Sequence, residues 1–175
     1  MNEETPRGPP GPMELELPTP PGEIDMAAFR EAALYYRDGC FAIGKFMCEF
    51  SQLEFTIRHV LHERLRLEEK LFDIVIGPYD FKMLCAVTQK VSCLKYPDRK
   101  EAITKLFKEI YALNDKRVHL AHATLTDAPE GFSLRVFNRQ KLDSSFVDYT
   151  IEDLRSFGDK AQSLMQRVMG FQGKS

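Results

Sequence analysis

Apolar residues between positions 41 and 67 recur at alternating steps of three and four, the spacing that places side chains on one face of an α-helix. The pattern predicts one long helix from about Phe41 to Leu67, packed along most of its length in a helical bundle. The next step of four lands on Arg64, so we expect the last turns of this helix to lie closer to solvent. The stripe consists of Ile43, Phe46, Phe50, Leu53, Ile57 and Val60.

Capping residues and helix breakers predict four further helices. The first is expected to end near Arg37 with Gly39 as its stop, because glycine is common just beyond helix C-termini. Gly77-Pro78 breaks the chain before the next helix, which is expected to reach about Leu94. The last two helices again carry apolar positions at helical spacing. The four are expected to start at or just after Asp25, Asp80, Pro97 and Thr150.

Residues 123–137 interrupt the helical pattern. They indicate two short strands around an Asp-Ala-Pro-Glu-Gly turn, and the segment Ser-Ser-Phe-Val-Asp-Tyr at 144–149 indicates a third. We therefore predict a mainly α fold, an up-and-down bundle of about five helices. It carries a small β-hairpin appendage at about residues 123–149.

The N-terminal segment differs in composition from the rest of the chain. Seven of the ten prolines lie within the first 21 residues, which predicts a disordered tail over residues 1–22 and one domain over 23–172. The formal net charge of the whole chain is -2. Residues 1–25 contain six acids and one base, or -5, which leaves 20 acids and 23 bases, or +3, for the remainder. A nucleic-acid partner is therefore compatible with the charge, but binding is expected to be weak and salt-sensitive.

The sequence predicts neither a membrane span nor a secretory signal, because it has no long unbroken apolar run and no apolar segment at its N-terminus. The cysteines form no Cys-x-x-Cys pair, and eight residues separate the members of each obvious pairing. That spacing is too long for a disulfide within one helix, so we expect reduced thiols in a cytoplasmic protein. The four are Cys40, Cys48, Cys85 and Cys93.

Candidate chemistry concentrates in residues 112–125. The apolar stripe of the fourth predicted helix continues by one step of four onto Arg117. Burying an unpaired guanidinium is costly, so Arg117 either extends to solvent or meets an anion in a cleft or interface. His122 follows five residues later near the helix C-terminus, where the helix dipole favours a positive charge. A histidine beside a fixed cation suits general acid/base chemistry on a phosphodiester.

The run 117–122, Arg-Val-His-Leu-Ala-His, resembles the Arg-x(4–6)-His motif of HEPN (higher eukaryotes and prokaryotes nucleotide-binding) domains. The resemblance covers about residues 40–170, since the long helix, the motif helix, a hairpin and a final helix follow the same order. It implies an α-helical bundle that usually dimerises. Many members are metal-independent endoribonucleases of toxin–antitoxin, abortive-infection and other phage-defence systems.

The resemblance implies that Arg117 binds phosphate and that His122 is the acid/base. The RNA 2′-hydroxyl would attack the adjacent phosphorus and leave a 2′,3′-cyclic phosphate. RNA, a second copy of the chain and an antitoxin protein are the partners that it implies. Active members usually carry a polar residue directly after the arginine, whereas this chain has Val118. Asn114, one turn earlier, is a candidate replacement for the missing amide.

Three further residues are candidate supports for this chemistry. Asp115 either orients a histidine or is simply solvated, and His119 lies near it on the helix. Glu54 of the long helix is a candidate ion-pair partner for Arg117. No cofactor and no metal are predicted, and no Glu-x-x-His motif occurs.

Two alternatives to an RNA-cleaving enzyme remain open at this stage. One is a non-catalytic dimeric interaction or regulatory module of the same fold, with Arg117 in a structural ion pair and Val118 marking lost activity. The other is a metal-binding bundle that uses the two i, i+3 histidine pairs, which are His59, His62, His119 and His122.

Overall fold

The computed structural model describes residues 25–122, 124–128, 131–138 and 143–171. The predicted tail at 1–22 and part of the predicted hairpin turn lie outside these residues. The described chain is mainly helical, as predicted, and contains five α-helices, one 3-10 turn and three strands. In order they are α1 (Met26–Leu65), α2 (Glu69–Ile76), α3 (Phe81–Lys95), the 3-10 turn Pro97–Arg99, α4 (Lys100–His122), β1 (Thr124–Ala128), β2 (Gly131–Asn138), β3 (Asp143–Tyr149) and α5 (Ile151–Gly170).

Helix α1 is one continuous helix of 40 residues, so the predicted stop at Gly39 is wrong. Glycine in a helix interior costs only about 1 kcal/mol relative to alanine, which tertiary packing readily offsets. Gly39 is buried, and Ala42 on the next turn packs with Tyr149 and Leu154 in a small apolar cluster. The predicted cap is confirmed, because the Asp25 carboxylate accepts hydrogen bonds from the backbone N–H groups of residues 27 and 28.

The predicted number of helices, five, is the observed number, but the individual helices differ. The first two predicted helices form the single helix α1, and the sequence did not predict α2. Helix α1 ends at Leu65 because Arg66 adopts the left-handed conformation, with φ 52° and ψ 35°. The short helix α2 then buries Phe72 and Ile76 against the bundle. Pro97 opens a 3-10 turn instead of an α-helix, and α4 begins at Lys100.

The apolar stripe of α1 forms the centre of the core. Its side chains from Phe46 to Val60 are buried, while Ile43 is partly buried beside the second cluster. Helix α1 packs most extensively against α5, and α3 and α4 complete the core. Close approach of α1 and α5 occurs at Gly158, where an added Cβ would lie 3.8 Å from the Cα of Phe46. The fully buried side chains contributed by the other helices include Leu84, Ile103, Leu106, Ile110 and Leu164.

The β appendage is a three-stranded antiparallel sheet of order β1-β2-β3. Its register pairs Leu125 with Leu134 and Leu134 with Val147, so the third predicted strand is confirmed. Strand β3 leads directly into α5 through a capping box, in which Thr150 and Asp153 bond reciprocally, also as predicted. The sheet lies beside the C-terminal end of α4, where the candidate histidines are found, because β2 contacts α4 and Lys116 of α4 bonds to Tyr149 of β3.

The N-terminal part of α1 extends beyond the bundle. All residues from 26 to 37 are exposed, among them the large apolar side chains of Met26, Phe29 and Leu34. Among the described helices, none combines the length and the apolar character that crossing a membrane requires.

Candidate functional site

Arg117 lies at the edge of the core on the last turns of α4. Leu113, one turn earlier, is buried, so Arg117 does continue the apolar stripe as the sequence predicted. Its side chain is half-buried, and the guanidinium carbon is 5.7 Å from the centroid of the Phe50 ring on α1. An arginine over an aromatic face is stabilised by about 0.5–2 kcal/mol, the larger values applying where water is excluded. Phe50 thus holds the guanidinium without neutralising its charge.

No carboxylate of the described residues forms an ion pair with Arg117, so the predicted pairing with Glu54 does not occur in this structure. Glu54 lies near α3 instead, where its charge acts on the thiol of Cys85. Burial, then the charges of Glu54 and Asp80, raise the pKa of Cys85 to about 12. Cys85 is therefore a protonated core thiol and not a nucleophile.

His122 is the last residue of α4 and its side chain is exposed. The five-residue separation places it about 140° around the helix and about 7.5 Å along it from Arg117. The two candidate catalytic residues therefore lie on the same helix end but on different faces. A ligand that contacts both side chains must therefore reach across both faces of the helix end.

Asn114 is buried and His119 is partly buried. The Nδ1 atom of His119 is buried and has no hydrogen-bond partner within the described residues. Asn114 is only 2% exposed, and its Oδ1 likewise lacks a partner in the described part of the chain. Asn114 therefore faces the core, which argues against its replacing a polar residue at position 118 in contact with substrate. Two unpartnered buried polar atoms on one helix are unusual, since buried polar groups are almost always hydrogen-bonded.

Asp115 forms an ion pair with Lys82 and, among the described contacts, with neither histidine. Its carboxylate lies 3.9 Å from the Lys82 ammonium on α3, and its side chain is 64% exposed. An ion pair this exposed contributes little to stability. The structure therefore favours the interpretation of Asp115 as a solvated surface residue over a role in orienting a histidine.

Lys116, the residue before Arg117, is a further cation near this site. Its ammonium donates a hydrogen bond of 3.5 Å to the Tyr149 hydroxyl and lies 5.4 Å from the centroid of the same ring. Tyr149 belongs to β3, 33 residues further along the chain, so the sequence contains no local indication of the contact. Lys116 and Arg117 add two adjacent positive charges to the end of α4 that carries His122.

The four histidines do not form a metal site. His59 and His62 lie near the C-terminus of α1, whereas His119 and His122 lie on the last turn of α4. That end of α4 contacts α1 at Phe50, through Arg117, and not at the C-terminus of α1. Across the residues that the structure describes, no group of three or more His, Cys, Asp or Glu side chains is arranged to hold a metal ion. The metal-binding alternative therefore has no structural support.

Comparison with known proteins assigns no relative. No protein-family model matches the chain, and neither a curated protein nor a solved structure gives a match.

Proposed function

We propose that this protein is an RNA-binding, HEPN-like, metal-independent endoribonuclease of the toxin or phage-defence type. One observation carries the proposal. The half-buried Arg117 has no carboxylate partner among the described residues, and an exposed histidine follows it five residues later on the same helix end. A fixed cation without a carboxylate partner and an accessible imidazole at one helix end can supply the charge stabilisation and the proton transfer that cleaving a phosphodiester without a metal requires.

In the proposed reaction, His122 accepts the proton of the RNA 2′-hydroxyl as its oxygen attacks the adjacent phosphorus. Arg117 donates hydrogen bonds to the nonbridging oxygens, where negative charge accumulates in the transition state. The bond from phosphorus to the 5′-oxygen breaks, that oxygen takes up a proton from water, and His122 returns the proton it accepted to the solvent. The products are a 2′,3′-cyclic phosphate and a free 5′-hydroxyl.

A homodimer fits this chemistry because the two side chains lie on different faces of one helix. Two copies that face each other across the ends of α4 would present two arginines and two histidines to one RNA strand. Residue 118 is a partly buried valine and provides no polar contact, so this arrangement relies on Arg117 and His122 alone. An antitoxin partner would act by covering the same helix end.

The test is RNA cleavage by the purified full chain in the presence of EDTA. Wild type should produce 2′,3′-cyclic phosphate ends, and His122→Ala should lose at least about 100-fold in rate, the usual contribution of general acid/base catalysis. His59→Ala, which removes an exposed histidine from α1, is the matched control and should cleave like wild type. Cleavage that needs a metal, or that survives His122→Ala, would show the mechanism to be wrong.

The second candidate is a non-catalytic dimeric interaction or regulatory module. The contact of Arg117 with Phe50 and the valine at position 118 favour it, because together they describe a structural arginine. In that case Arg117→Ala should lower the free energy of unfolding by about 1 kcal/mol through the lost ring contact. The same protein should show no RNA affinity before or after the substitution. RNA binding that disappears with Arg117→Ala while stability changes little would exclude this candidate.

A further inference from the structure

A second cluster of cations lies at the other end of the bundle, where α1 and α3 both end. It lines a cleft of about 370 Å³ whose walls include Arg64, Arg66, Lys95 and Tyr96. Arg64 is fourteen residues beyond Phe50 on α1, which corresponds to about 21 Å along the helix. The cleft is therefore separate from the site around Arg117 and His122.

The three cations of this cleft have no carboxylate partner in the described structure. Glu63, the acidic residue of the lining, lies 4.0 Å from the Nδ1 atom of His62 instead. Three positive charges and one negative charge leave a net charge of about +2, before any charge on His62.

Arg64 is the residue that most needs an explanation. It is half-buried, and burial lowers the pKa of its guanidinium because the charged form loses water. The Tyr96 ring lies 5.5 Å from the guanidinium carbon and 5.9 Å from the Lys95 ammonium. The ring thus draws two cations together at one side of the cleft, although like charges repel.

The negative ends of the α1 and α3 dipoles account for only part of this arrangement. A helix C-terminus stabilises a nearby cation by a modest amount that falls off within the last turn. Cations extended into solvent would interact with the helix dipoles as well, so the dipoles explain neither the cleft nor the half-buried guanidinium. Arg66 and Tyr96 also already satisfy helix-end carbonyls through their backbone N–H groups, which donate to the carbonyl oxygens of His62 and Ser92.

We propose that this cleft binds a phosphate monoester. Its net charge complements a dianion, and the planar guanidinium forks of Arg64 and Arg66 match the oxygens of a phosphoryl group. The volume lies in the range of small-molecule sites, so there is room for an organic group on the phosphate. The Tyr96 ring lies in the wall beside the cations, where it can contact that group. The proposal is independent of RNA cleavage at the end of α4.

The experiment is calorimetric titration of the full chain at pH 8, where phosphate is mainly a dianion. Inorganic phosphate, phenyl phosphate and benzoate are the probes, and they separate the phosphoryl group, the attached aromatic group and a simple carboxylate. We expect saturable binding of phenyl phosphate, weaker binding of phosphate, and none of benzoate. If phosphate alone binds as tightly as phenyl phosphate, the cleft takes the free ion and the monoester proposal is wrong.

Two substitutions test the assigned residues. Arg64→Gln and Arg66→Gln should each weaken phenyl phosphate binding by about tenfold or more, the usual effect of losing one charge-assisted hydrogen bond. Arg66 is exposed, so its substitution tests the cleft even if Arg64→Gln destabilises the fold. Arg30→Gln, an exposed arginine on the same helix and outside the cleft, is the matched control and should bind like wild type. No binding by wild type, or equal losses in all three variants, would overturn the proposal.

Discussion

Glu109 on α4 is joined to α5 by two cations, and this network makes a definite prediction for stability as a function of pH. Arg167 donates two hydrogen bonds of 2.9 Å to the two carboxylate oxygens, and Lys160 donates a third. These bonds, first from Arg167 and then from Lys160, hold the pKa of Glu109 at about 2, against an ordinary value of 4.5. The perturbation that tests them is Glu109→Gln, which keeps the shape and removes the charge.

The size of the effect follows from the pKa difference between the folded and unfolded chain. The full pKa difference of Glu109 corresponds to a contribution of about 3 kcal/mol to the free energy of unfolding, as an upper bound. The side chains of Lys160 and Arg167 are 46% and 40% exposed, so solvent screening reduces the interaction, and we expect about 1–2 kcal/mol. Because the folded pKa lies below the unfolded one, this stabilisation is complete above about pH 4.5 and is lost as the pH falls towards 2.

The assay is urea unfolding of wild type and Glu109→Gln at pH 7, 5 and 3. The difference in unfolding free energy should be about equal at pH 7 and 5 and should fall to roughly half at pH 3. Glu101→Gln, at an exposed position of the same helix with no ion pair in the described structure, is the control. A loss that does not change with pH, or one no larger than that of Glu101→Gln, would refute the reasoning.

Two further predictions concern α1 and the cysteines. Gly44→Ala should raise the unfolding free energy by about 0.5–1 kcal/mol, because a Cβ there meets no atom within 4 Å and alanine favours the helix. Loss of stability in urea unfolding would contradict a continuous α1. Iodoacetamide at pH 8, followed by mass spectrometry, should modify the exposed Cys48 readily and Cys85 only after denaturation, because Cys85 is buried with its pKa at about 12. Similar rates for the two thiols in the native protein would be inconsistent with this core.

Features of the fold that depend on neighbouring residues were predictable from the sequence. The stripe from Phe46 to Val60, the cap at Asp25 and the capping box at Thr150 each arise within one or two helical turns. The prediction that a helix stops at Gly39 is wrong because the rule that associates glycine with helix ends is also local. The packing of the adjacent turn against Tyr149 and Leu154, more than 100 residues away in sequence, keeps the helix intact there.

The candidate sites were predictable only in part, for the same reason. Arg117 was recognisable because it continues an apolar stripe, but its contact with Phe50 depends on how α4 crosses α1. The phosphate cleft was not recognisable at all. The sequence predicts only that Arg64 lies at a solvent-facing helix end. Lys95 lines the same cleft because α1 and α3 end at the same place. The interactions of Asp115 and Lys116 likewise depend on elements distant in the chain.

The pairing of the first described helix with the last has a consequence for how the protein is made. The apolar face of α1 is synthesised well before its main partner α5, whose core residues include Ala161, Leu164 and Val168. Until α5 has been synthesised, the part of the α1 face that α5 covers is exposed, a state prone to aggregation. Bringing α1 and α5 together closes a long loop. This step is slow, because the chain loses conformational entropy before the stabilising contacts form. The core can therefore be completed only once α5 has been synthesised and has left the ribosome.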